Sequence, residues 1–181
     1  MTFTWNQHRF SGGALAFDVA NSVVLRHDPQ RRIDRFEDED NFANFAQAAA
    51  ELCAEKERLG RIGIVPAGRK AAFLRLREAV DDYFRSLASA EPCDQKLSEL
   101  LEASAVVLRH ASASSLDRAT VHSTLRLLAT DEPERIKICG NCGWLFLDRS
   151  KNKSRTWCDM SVCGNRVKAS RHYRRNREDE T

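Results

Sequence analysis

The chain has no uninterrupted apolar run approaching the roughly 20 residues that a membrane-spanning helix needs, so we expect a soluble protein with no membrane partner. Its first ten residues, Met-Thr-Phe-Thr-Trp-Asn-Gln-His-Arg-Phe, lack the basic flank and apolar stretch of a secretory leader, and the expected location is cytoplasmic. No glycine loop that would cradle a phosphate occurs, and no serine elbow. The five histidines, His8, His27, His110, His122 and His172, are scattered without metal-ligand spacing. These absences argue against an enzyme, because a catalytic site would have to be assembled in the helical part from residues distant in sequence. Repeats, low-complexity segments and long linkers are also missing.

What is present is an uneven distribution of charge. The 181 residues carry a net charge of only +3, but residues 1–134 hold 17 Lys+Arg against 21 Asp+Glu, and residues 135–181 hold 12 against 5. A basic arm on an acidic body is the pattern of a chain that meets a polyanion. Asp131-Glu132-Pro133-Glu134 immediately precedes the change in charge and cysteine content. We place the domain border there, giving 1–134 and 135–181, joined too tightly to swing freely.

The first part reads as mostly helical. Apolar residues recur at spacings of three and four from Asp40 towards Gly60, again after Pro66 as far as Leu87, and from Cys93 to His110, where Leu97, Leu100, Leu101, Ser104 and Leu108 share a face. A shorter helix is expected over Leu116 to Ala129, with Leu125 and Leu128 inward. At the start, Phe3 to Phe17 around Ser11-Gly12-Gly13 suggests a small β-hairpin, followed by a short helix near Asp18 to Val24. A short extended piece is expected at Arg32 to Phe36.

Four of the six cysteines fall within 25 residues as Cys139-x2-Cys142-x15-Cys158-x4-Cys163. This is close to the two-pair spacing of treble-clef and ribbon-type zinc sites, and it predicts one structural Zn²⁺ with four thiolate ligands and no open position. Gly140 and Gly143 suit a tight knuckle, Trp144 to Leu147 is strand-like, and Trp157 precedes the third ligand. A redox pair would need a helix opening at the CxxC, and here glycines and an apolar run follow. Cys53 and Cys93 lie on or beside helical patterns and read as small buried hydrophobes. The expected fold class is therefore α+β: a mainly helical N-terminal domain with a small β-hairpin, then a treble-clef-like finger of knuckle, short hairpin and helix.

From Asp159 or Ser161, either a good N-cap, a helix should continue as far as Arg177. At 100° per residue Val162, Arg166, Ala169 and Tyr173 share one face, and Lys168, Arg171, Arg174 and Arg175 another. The first face is expected to pack on the zinc core, with Arg166 a brace that binds backbone carbonyls or a carboxylate such as Asp148. The second, joined by Arg149, Lys151, Lys153 and Arg155 between the cysteine pairs, is expected to form a basic surface for phosphates.

Cys139-Gly-Asn-Cys142-Gly-Trp-Leu-Phe-Leu-Asp148, Arg155-Thr-Trp157-Cys158 and Cys163-Gly164-Asn165-Arg166-Val-Lys168 together resemble the CGNR-type zinc finger of bacterial proteins. Gly13-Ala-Leu-Ala-Phe-Asp18-Val-Ala-Asn21-Ser22 resembles the start of the ABATE domain that precedes this finger in stress-induced transcription regulators, with Ser22 where threonine is more usual. The resemblance implies four zinc-binding cysteines, a DNA-binding role, and a small-molecule sensor in the larger domain. Asp18, Asn21 and Arg26 are then candidates for a ligand pocket, with capping of the short helix as the alternative. RNA or an acidic protein partner in place of DNA, and a homo-oligomer, stay open at this point.

Overall fold

The computed structural model describes residues 3–179, and for 171, 172 and 176–179 the helical backbone alone. Helix α1, Leu15–Ala20, is only six residues long, and isolation would not sustain it. Its first orphan N–H groups are held from far away in sequence. Leu15 N–H donates to Glu55 Oε2 at 2.8 Å and Ala16 N–H to Ser123 Oγ at 3.0 Å. Glu55 is itself fixed by Arg126, at 2.9–3.0 Å, and by Ser123. A carboxylate at a helix N-terminus also opposes the positive end of the helix dipole. All six residues of α1 are buried.

Residues 3–17 do not form the expected hairpin. Gln7–Phe10 is a single 3-10 turn capped by Asn6, and Gly12 C=O accepts instead from Leu147 N–H at 2.8 Å, so the glycines pair with the distant finger and not across their own turn. The N-terminal hairpin lies further on. Val23–Val24 (β1) pairs antiparallel with Ile33–Asp34 (β2), the latter within the extended piece expected at 32–36.

Helix α2, Glu39–Leu52, starts at an Asp38 cap whose side chain accepts from Asn41 N–H. It stops at Cys53, which turns extended so that buried Glu55 can reach α1, and only a short helix α3, Lys56–Leu59, follows before Gly60. Helix α4, Ala67–Ala88, begins after Pro66 as expected; α5 spans Asp94–His110 and α6 Leu116–Leu128. The inward faces of the last two are rotated from those expected. On α5, Leu100, Ser104 and Val107 are buried while Leu101 and Leu108 are exposed; on α6, Thr120, Val121, Ser123, Thr124 and Leu127 are buried while Leu125 is exposed. The buried hydroxyls are satisfied within the helices: Ser104 donates to Leu100 C=O, Thr120 to Leu116 C=O and Thr124 to Thr120 C=O, at 2.7–3.0 Å. A back-bonded threonine buries almost like an apolar residue, and a reading by hydrophobicity alone misses it.

The last elements are an antiparallel hairpin, Ile136–Ile138 (β3) with Leu145–Leu147 (β4), then a π-helical turn over Met160–Gly164 and helix α7, Asn165–Asp179. The molecule is thus mainly helical, with two small antiparallel hairpins and a C-terminal cysteine cluster. Three cores serve it. An aromatic one packs Phe10, Phe36, Phe42, Phe45 and Phe73, with Phe36 ring centroids 5.1–6.1 Å from the last three. A second joins Phe17 of α1, Leu76, Val80 and Phe84 of α4, Leu100 of α5 and Val121 of α6 to Ile136 and Leu145 of the β3–β4 hairpin. The third holds the cysteines. Each buried side chain of this size contributes about 1.5–3 kcal/mol, so the second core fastens the hairpin firmly to the helices. Among the described residues no helix is long and apolar enough to cross a membrane.

Candidate metal centre

The knuckle between β3 and β4 is set by backbone hydrogen bonds: Cys139 N–H donates to Trp144 C=O at 2.8 Å and Gly143 N–H to Cys139 C=O at 2.9 Å. Gly143 has φ +73°, the left-handed conformation the turn demands. Gly140 does not, and is needed for another reason: a Cβ there would lie 2.9 Å from the Trp157 ring. The second pair is presented by the π-helical turn, which Asp159 caps by accepting from Ser161 N–H at 2.8 Å and Val162 N–H at 3.3 Å. The other Asp159 oxygen meets His8 Nδ1 at 2.9 Å, and the His8 ring stacks on Trp144 at 5.4 Å.

Cys139, Cys142, Cys158 and Cys163 converge with all four Sγ atoms within 4.8 Å of one another, three of the four residues buried. The Cys142–Cys158 and Cys158–Cys163 sulfurs are 3.6 and 3.7 Å apart. A tetrahedron with Zn–S bonds of about 2.3 Å has edges of about 3.8 Å, so these sulfurs already stand at tetrahedral spacing. Without a cation the cluster cannot ionise together. Sharing of protons with Cys142 and Cys158 favours the Cys139 thiolate, and its proximity, with burial, pushes the other two thiols up. A divalent cation removes that conflict. Residues 135–176 match the CGNR zinc finger. No curated protein and no solved structure matches the chain. The four cysteines of the CGNR finger hold one structural zinc ion.

The finger is clamped by Asn21 and Arg85, which the sequence did not assign to it, and by Asp148, the carboxylate expected in its brace. Asn21, at the end of α1, bonds both ways to the Leu145 backbone: its Nδ2 donates to the carbonyl at 2.9 Å and its Oδ1 accepts from the N–H at 3.0 Å. Arg85 of α4, held by Asp81, donates to Gly143 C=O at 3.0 Å. Asp148 is fully buried and accepts from Lys137 Nζ at 2.8 Å, from Ser150 N–H and from Arg155 N–H, both at 2.9 Å. Burial alone would raise its pKa, but the ammonium and the two N–H groups prevail and hold the carboxyl well below the usual range. Asp148 thus braces the loop between the cysteine pairs, with Lys137 as its cation.

Arg166 is not that cation. It is exposed, and among the described residues no hydrogen bond or ion pair joins it to Asp148. The expected inward face of α7 is mostly exposed: Arg166 and Ala169 are exposed and Tyr173 is 72% exposed, while Val162 is half-buried, as is Val167. Lys168, Arg174 and Arg175 are exposed on the same helix, and the side chain of Arg171 lies outside the described residues. The basic loop is largely used within the molecule. Lys153 pairs with Glu132 at 2.8 Å and with Glu134; Arg155 lies 5.4 Å from the Phe146 ring and donates to the Cys158 carbonyl; Arg149 donates to Gly13 C=O at 2.7 Å. Of the loop's four cations, Arg149 and Lys151 are exposed with no ion pair among the described residues, and Lys151 alone has no hydrogen bond among them either.

Asp18, Asn21 and Arg26 are each engaged with a different part of the protein. Asp18 accepts from Gly12 N–H at 2.9 Å, Asn21 is spent on Leu145, and Arg26 pairs with Glu78 and, at 3.3 Å, with Asp81. All three bind protein groups, as buried polar side chains must. Asn21 stands at the C-cap of α1, its backbone N–H donating to the Phe17 and Val19 carbonyls, whereas Asp18 caps neither end and Glu55 and Ser123 take the first N–H groups.

Proposed function

We propose that the protein is a DNA-binding regulator in which zinc fixes the finger and α7 delivers basic side chains to phosphates. The observation that carries this is the exposed array of Arg166, Lys168, Arg174 and Arg175 on a helix that springs from the metal site, with no ion pair to them among the described residues. The positive field extends beyond α7. Arg9 lies near both Arg166 and Arg35, and burial together with these two cations lowers its pKa. The Arg9 and Arg35 guanidiniums approach the Phe3 ring at 5.4 and 4.3 Å. The resemblance of residues 13–22 to the ABATE domain supports a role for the N-terminal part as the sensor of a stress-response regulator. The reading assigns binding and no turnover.

Binding should weaken with salt, because each neutralised phosphate releases counterions. In the Lys168→Ala/Arg174→Ala/Arg175→Ala variant the slope of log K against log salt should fall by about 2–3, at one contact per cation. An unchanged slope measured by fluorescence anisotropy on duplex DNA sinks the assignment. A second reading, single-stranded RNA, is favoured by Tyr173, whose exposure offers a ring for base stacking. Tighter binding to single-stranded RNA than to duplex DNA, reduced by Tyr173→Ala, would select it.

A further inference from the structure

A cavity of about 290 Å³ lies between the segment after α3 and the start of α6. Its two walls are fixed by backbone pairing: Gly63 N–H donates to Ser114 C=O at 2.6 Å, and Leu116 N–H to Gly63 C=O at 2.9 Å. Arg58, Arg61, Arg118, Arg126 and His122 line it, and no carboxylate does. Arg126 is neutralised from behind by Glu55, at 2.9 Å. Arg58, Arg61 and Arg118 have no ion pair among the described residues, the Arg118 guanidinium being held only by the Ala113 carbonyl at 3.0 Å, so three arginines without a carboxylate partner line one concavity. Like charges gathered in this way repel unless an anion joins them. Leu59, Ile62 and Ala119 give the cavity an apolar portion beside the cations.

From this juxtaposition we infer that the cavity binds a small organic phosphate, its dianionic group held by Arg58, Arg61 and Arg118 and its apolar body set against Leu59 and Ile62. Guanidinium forks suit phosphate oxygens bidentately, and three of them match a dianion better than a single carboxylate. The size is at the small end of ordinary ligand sites. The inference deepens the sensing half of the proposed function and rests on it for its biological use, but the binding is measurable without DNA.

The test uses the full, zinc-loaded chain with phenyl phosphate as the probe, benzoate as a carboxylate of the same body, and chloride at matched ionic strength. Isothermal titration should show one saturable phenyl phosphate site, at least 10-fold weaker for benzoate. It should weaken at least 10-fold in Arg61→Ala/Arg118→Ala, whose unchanged melting temperature in chloride would show it folded; should that variant melt lower, Arg61→Ala alone serves, with a weakening of at least 3-fold. Absence of saturable binding above the chloride control, equal affinity for benzoate, or unchanged affinity in the variants overturns the inference. DNA affinity should be the same in wild type and Arg61→Ala. A fall as large as that of the α7 variant would make the cavity part of the nucleic-acid surface and overturn it too. Failure of DNA binding in wild type with phosphate binding intact counts against the proposed function alone.

Discussion

Two buried side chains near the start of the chain show how much a single residue can carry. Asp18 is fully enclosed, and burial pushes its carboxyl up to about 8 against the opposing effects of the Cys53 thiol and the Gly12 N–H, with the Glu55 charge adding to the rise. A carboxyl whose folded pKa is raised binds its proton more tightly when folded. Its contribution is therefore complete below the unfolded value of about 4 and is lost as pH rises through about 8. Asp18→Asn keeps an oxygen for Gly12 and has no proton to lose. We expect it to melt several degrees higher than wild type at pH 8–9 and to show a flatter stability profile between pH 4 and 8 in thermal scans. Asn21 behaves differently. Asn21→Ala leaves the Leu145 N–H and C=O buried and unpaired, at a cost of about 2–4 kcal/mol in urea unfolding. The motif that contains both residues was visible in the sequence, but its meaning was not: they were read as pocket or cap residues, and the partner of Asn21 lies 124 positions away.

At the level of elements, what could be read from sequence depended on how local the cause was. Helices α4, α5 and α6 follow from periodicity and punctuation, and the knuckle from cysteine spacing. The break of α2 at Cys53 and the turn in place of a hairpin at Gln7–Phe10 answer to distant partners, Leu15 and Leu147, which no window contains. Tyr173 was assigned inward from helical phase, and it is exposed. The loop from Asp148 to Cys158 was read as a basic surface from its composition; one buried carboxylate collects its backbone N–H groups, and Arg149, Lys153 and Arg155 are held by other groups of the molecule. Asp148→Ala leaves the Lys137 ammonium without its counter-charge, with only the Lys153 and Arg155 carbonyls as partners, and frees that loop. We expect a loss of about 3–5 kcal/mol and faster trypsin cleavage at Lys151 and Lys153 in limited proteolysis.

Across the whole molecule, the border placed at residue 134 separates charge and chemistry, and the two sides of it share a hydrophobic core. Ile136 and Leu145 are buried with Phe17, Leu76 and Phe84. A structural zinc site of this kind supplies on the order of 10 kcal/mol of folding free energy, and the shared core passes part of it to the helices. Removing the metal with a strong chelator should lower the melting temperature read on α-helical circular dichroism, and not only that of the finger; helices that melt unchanged in the zinc-free chain would show two independent bodies. Cys139→Ser should reproduce the effect of the chelator and bind no zinc by elemental analysis.

The shortest helix then takes on a mechanical meaning. Glu55 and Ser123 grip one end of α1, Arg126 grips Glu55, and Asn21 at the other end is bolted to the strand that follows the knuckle. Six buried residues with no slack make a strut. A load applied at Arg126 has no compliant loop to absorb it before it reaches Leu145, so the stiffness of α1 sets how far the cysteine knuckle must follow.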